Sequence, residues 1–203
     1  MQTPSTDNNR LRAEAEETLF SPDETTVCET YVFEPSPGEE GCGFLFIAGE
    51  TTNEGGIGRE LLDTIATAIQ KEYYRDPKRS SATSFEMALH QANLILHDTV
   101  EQGIQDWMNY FHMAVAALSG TALHIAASGE ARVLLVRQTK LTVVSEGLSH
   151  FPITNPLQTF SQVASGTVAS SDMVFLATSQ LLSLFRPAEI SRTVVSTAAA
   201  STS

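Results

Sequence analysis

The stretch FLFIAGETTNEGGIGRELL, residues 44–62, decides the fold. Together with the preceding Cys42 and Gly43 it opens on an uncharged apolar run, Phe44, Leu45, Phe46, Ile47 and Ala48, which suits a strand buried on both faces and ended by Gly49. A polar loop with Gly55, Gly56 and Gly58 follows. Leu61, Leu62, Ile65, Ala66, Ile69 and Tyr73 then recur at helical spacing to about Arg75, marking one face of an amphipathic helix. Glu50 and Glu54 fall on the loop between strand and helix in this reading.

Working outward, residues 25–33 carry Val27, Tyr31, Val32 and Phe33 and predict a strand, closed by a turn at Pro35, Pro37 and Gly38. Beyond the first helix, Asp76 and Pro77 break the pattern, and Arg75, Lys78 and Arg79 read as a solvated turn. Thr83 with Glu86 three residues later predicts a capping box for a second helix, whose apolar face is Phe85, Ala88, Leu89, Ala92, Ile95 and Leu96. Short strands come next at 110–118, 122–127, 132–137 and 141–144, joined by Ser119-Gly120 and Ser128-Gly129, which reads as an antiparallel meander. A loop over 145–156, strands at 162–167 and 173–177, a short helix at 180–184 and a last helix from Pro187 complete the order. Strands first, two consecutive helices, then more strands predict an α+β fold with helices packed on antiparallel sheets.

The 203 residues are 42% hydrophobic and 18% charged, enough for one domain with a hydrophobic core. Residues 1–24 read as an acidic polar tail with a short helical tendency over 10–20, residues 25–193 as the domain, and the Ala/Ser/Thr-rich 194–203 as a low-complexity end. The net charge of −12 is concentrated early: residues 1–54 hold twelve acids against Arg10 and Arg12. Such a field repels phosphate backbones and anionic lipid heads, so nucleic acid and membrane are not expected partners. No apolar segment is long enough to span a bilayer, and no leader-like run precedes Cys28 and Cys42, so a cytoplasmic protein with reduced thiols is expected.

Isolated polar residues offer weaker leads. His112 and His124 lie in predicted strands and read as packed or rim residues. His90 and His97 share a helix face without a third ligand, and His150 beside Ser149 lacks a third triad member. Trp107, Tyr110 and Phe111 form an aromatic group read as packing against the helices.

Four segments in order carry a resemblance. They are the strand, glycine loop and helix from Phe44 through Gly58 and Glu60; Ala88-Leu89, Ala92-Asn93 and Ile95-Leu96 on the second helix; the run from Leu123 to Arg132, with Gly129 and Arg132; and the run from Asp172 to Leu181. Over about residues 25–185 the chain resembles the metal-dependent protein phosphatases of the PPM (type 2C) family. The resemblance implies a four-layer β-sandwich of two antiparallel sheets flanked by pairs of helices. It also implies chemistry by two divalent cations, held by carboxylates and bridging an attacking water. A chain without two facing antiparallel sheets would instead be a generic α+β interaction module.

The departures fall on the ligands. Where the family has its bridging Asp-Gly, this chain has Gly49-Glu50; where it has Ser-Asp-Gly, this chain has Thr178-Ser179-Gln180. The early Asn-Glu-Asp corresponds to Cys28-Glu29-Thr30, and no aspartate follows Asp172. Thr30, Gly49, Glu50 and Ser179 are thus the degenerate metal-site positions, with Glu50 and Glu54 the carboxylates left if a site survives. The resemblance then implies an inactive phosphatase-like domain with no catalytic residue and no cofactor, acting on a protein partner such as a kinase or phosphoprotein. The alternative is a divergent serine/threonine phosphatase using Mg²⁺ or Mn²⁺.

Overall fold

The computed structural model describes residues 13–17 and 25–184, apart from the side chains of Glu54 and Leu184. Strands β1 (Thr26–Phe33), β2 (Phe44–Thr52), β3 (His112–Ser119), β4 (Ala122–Ser128) and β7 (Ala164–Thr167) form one sheet in the order β1-β2-β3-β4-β7. Strands β5 (Arg132–Arg137), β6 (Lys140–Val143) and β8 (Met173–Ala177) form a second, ordered β6-β5-β8. Neighbouring strands in both sheets run antiparallel. Helices α1 (Gly58–Tyr73) and α2 (Ser81–Glu101) precede β3, and α3 (Ser179–Leu184) follows β8.

Strand alternation sends two cores to opposite faces of the first sheet. Leu45, Ile47, Met113, Val115 and Ala117 turn toward the helices and pack with Leu62, Ile65, Ile69, Phe85, Leu89 and Leu96. Their neighbours Ala114, Ala116, Leu123 and Ile125 turn the other way, against Val133, Leu148 and Val168 between the sheets. The result is the expected α+β sandwich with a helical pair on its first sheet. Of the expected second helical pair, α3 lies within the described residues; the helix expected from Pro187 and the end at 194–203 lie outside them.

Four local expectations are corrected. Strand β2 does not end at Gly49: it continues to Thr52, still paired to Cys28 on one side and His112 on the other through Glu50. Gly49 marks a close approach instead, because a Cβ there would sit 3.0 Å from both Leu62 Cδ2 and Met113 Cε. Helix α2 begins a turn earlier than the Thr83 box, since Ser80 caps it by accepting from the Thr83 amide at 3.1 Å. The meander is split: β4 and β5 belong to different sheets, and the Ser128–Ala131 turn carries the chain across. Residues 13–17 have no regular secondary structure, and the rest of the 10–20 segment lies outside the described residues.

The basic turn is more than solvated. Arg79 and Arg75 hold the buried Glu72 carboxylate at 2.9 and 3.1 Å, and these hydrogen bonds, Arg79 first, keep it ionised below the usual carboxylate range. Trp107 and Phe111 pack edge to face in the core as expected, whereas Tyr110 is exposed. Cys28 and Cys42 are not bonded to each other. No helix among the described residues is long and apolar enough to cross a membrane.

Candidate functional site

One end of the sandwich gathers the C-terminal ends of β2, β4 and β8 and the N-terminal ends of β3 and β5. Across β1, β2 and β3, Cys28, Glu50 and His112 are register partners, so they form one row on the face turned toward the second sheet. Glu50 is 3% exposed. Its Oε1 accepts from the Ser179 hydroxyl at 2.5 Å and its Oε2 from the Gln180 amide at 3.0 Å. A side chain of the first sheet therefore caps the helix that leaves the second. An anion at a helix N-terminus is favourably placed, because the first amides there have no partner within the helix. Among the described residues no lysine or arginine pairs with Glu50.

His112 lines the same end. Its Nδ1 accepts from the Glu130 amide at 3.0 Å, which puts the proton of the neutral ring on Nε2. Burial pushes the imidazole below its ordinary value, against the opposing pull of Glu50 and Glu130. Gly129 makes the contact possible: it has φ +62, and a Cβ there would lie 2.4 Å from His112 Nδ1 and from the Phe111 carbonyl. Phe151 lies over the ring at 5.3 Å. Arg132 donates to the Ala131 carbonyl at 2.9 Å and to the Ser149 hydroxyl at 3.3 Å, bracing the loop that carries Phe151.

The structure brings Glu50 and Ser179 into contact and leaves the other two degenerate positions outside that contact. Gly49 faces α1, on the opposite side of the sheet from Glu50. Thr30 shares the face of Cys28 but pairs with Ala48, one step further from the end. Glu54 lies in a short turn before α1, and its side chain is outside the description. Neither His90, His97 nor His150 joins a metal-holding group, since among the described residues no three His, Cys, Asp or Glu side chains are placed to hold a metal.

This donor set suits a pair of hard divalent cations poorly. Such ions need several anionic oxygens. Within the described row the carboxylate is Glu50, with both oxygens engaged, beside a thiol, an imidazole whose Nδ1 is engaged and a serine hydroxyl, and Glu130 adds a carboxylate near His112.

Two polar clusters lie apart from this end and escaped the sequence reading. Asn93, 4% exposed on α2, bonds the backbone of Phe160. His124 on β4 joins Ser81 and Ser165. A helix-face asparagine or a strand histidine carries no local sign of a partner more than forty residues away.

No protein-family model matches the sequence, and no curated protein matches it. Solved structures do. The S. agalactiae serine/threonine phosphatase superposes with a TM-score of 0.63 at 13% identity, covering 87% of this chain and 81% of its own. PppA, a key regulatory component of T6SS in Pseudomonas aeruginosa, gives 0.59 at 13%, with 87% and 90% covered. The Mycobacterium tuberculosis serine/threonine phosphatase PstP gives 0.59 at 12%, with 82% and 84% covered, and a further PstP catalytic domain was solved with two manganese ions. The fold is that of the type 2C phosphatases.

Proposed function

We propose that this chain, built on the fold of the type 2C serine/threonine phosphatases, is a catalytically inactive phosphatase-like domain that works by binding and regulating a protein partner, such as a kinase or phosphoprotein. One observation carries the reading. The Glu50 carboxylate at the end of the sandwich is spent on the Ser179 hydroxyl and the Gln180 amide of α3, where a cation pair would need it free. Positioning and charge neutralisation supply most of the rate in phosphoryl transfer, so a chain without the cations loses nearly all of it. The likeness to PppA, itself a regulatory component, is in keeping with a regulatory role.

Calorimetric titration of the purified protein with Mn²⁺ and with Mg²⁺, run beside a phosphoserine/phosphothreonine peptide turnover assay, tests the proposal. Neither saturable binding nor turnover is expected. Saturable Mn²⁺ binding accompanied by turnover that Glu50→Ala abolishes would overturn it and establish the divergent phosphatase in its place.

A further inference from the structure

We propose that His124, Ser81 and Ser165 form an acid-sensitive clamp, which holds the start of α2 and the edge strand β7 onto β4 and lets go when the imidazole gains a proton. The three residues lie on three elements. His124 is 6% exposed on β4, with Nε2 2.9 Å from the Ser81 hydroxyl and Nδ1 2.8 Å from the Ser165 hydroxyl. A neutral imidazole has one donor and one acceptor, and a hydroxyl takes either complementary role, so both contacts are satisfied without a charge.

A proton changes that balance. As a double donor the charged ring can keep both hydroxyls only by staying buried, a cation where little compensates it. Across β3 the ring's register partner is Ala117, and across β7 it is Ser165. From α2 it meets Ser81 and the Phe85 ring, and the described charge acting on it is the Glu86 carboxylate. Ser81 is the first residue of α2, whose dipole opposes a cation at that end. Burial, the largest influence, pushes the imidazole below its ordinary value.

The way out for a charged ring lies on the β7 side. β7 has four residues, three of them exposed, and pairs with β4 alone among the described strands. Its far end is held separately, by Arg137 donating to the Thr167 carbonyl at 3.0 Å. Loss of the His124 contact removes the side-chain anchor at Ser165 and leaves β7 held by its main-chain pairing alone at that end, so that it opens more often. Each opening exposes the backbone edge of β4.

The test is carried out on the full chain between pH 8 and pH 5. Imidazole-resolved NMR follows the protonation of His124, and hydrogen exchange, corrected for intrinsic rates, follows the amides of residues 81–88 and 164–167. Wild type is expected to titrate below about pH 6.5 and to lose roughly tenfold in protection at those amides per pH unit through that window. His124→Gln keeps one donor and one acceptor but cannot charge, and its protection there is expected to stay level. Equal steepness in His124→Gln overturns the clamp. Should that variant not fold, the wild-type protein still decides: titration of His124 at or above its ordinary value, or titration without loss of protection at 164–167, overturns it.

Discussion

Asn93 and Phe160 hold each other through a reciprocal pair of hydrogen bonds: Asn93 Nδ2 donates to the Phe160 carbonyl at 3.1 Å, and Asn93 Oδ1 accepts from the Phe160 amide at 2.9 Å. The asparagine copies the donor and acceptor of a peptide group, so α2 pairs with an irregular loop as a strand would. The loop backbone could not otherwise be buried without cost. Asn93→Ala leaves both Phe160 groups unmatched and is expected to cost about 2–4 kcal/mol. Urea denaturation checks this through a lower midpoint at unchanged slope. A shift below roughly 0.5 kcal/mol would show that water replaces the side chain.

The Glu50 cap predicts a graded response at α3. Ser179→Ala removes one neutral donor and is expected to cost about 1 kcal/mol, and Glu50→Ala about 2–3 kcal/mol because the Gln180 amide also loses its acceptor. Hydrogen exchange at residues 180–183 reads the same order locally. Unchanged exchange there in Glu50→Ala would show that α3 docks without the carboxylate.

Glycines separate into two classes. Gly129→Ala forces a side chain into the Phe111 carbonyl and the His112 ring at positive φ, and is expected to cost about 3 kcal/mol or more. Gly120 has φ +59 but nothing within 4 Å of its Cβ position, so Gly120→Ala should cost only the intrinsic penalty of about 1–2 kcal/mol. Thermal melts of the two variants side by side check the difference.

Asp172 adds a pH dependence at the other end of the sandwich. Arg137 forks onto it, with contacts of 2.6 and 3.0 Å, and chiefly that hydrogen bonding lowers its carboxyl below the ordinary value. A carboxyl lowered by folding stabilises above its unfolded value of about 3.9, and that contribution is lost as pH falls from there through the folded value. Asp172→Asn should therefore melt lower than wild type at pH 7 and approach it near pH 2. An equal gap at both pH values would show that the carboxylate charge is not what stabilises.

Much of the fold is legible along the chain because periodicity reports which face is buried. The spacing of Leu61 to Tyr73 and the apolar run from Phe44 place α1 and β2 within a few residues. What misled was punctuation. Gly49 reads as a strand end but is an interior residue kept small by Leu62 and Met113, a cause that exists only after α1 docks. The Ser128-Gly129 turn reads as a hairpin, because nothing local distinguishes a return along one sheet from a step to the next. The sequence singled out Glu50 and Ser179 among its candidate positions, and these two meet in the structure. The bond joining Glu50 to Ser179 spans 129 positions and has no local signature.

The Ser128–Ala131 turn has a mechanical meaning. It joins the two sheets at the end where Glu50 and His112 lie, and its Glu130 amide is tied to the His112 ring. Separation of the sheets there would strain this short covalent tether, that hydrogen bond and the Glu50 contacts to Ser179 and Gln180 together. The end of the sandwich is thus tied both along the chain and across it, and loosening there would register as a changed signal from the His112 imidazole.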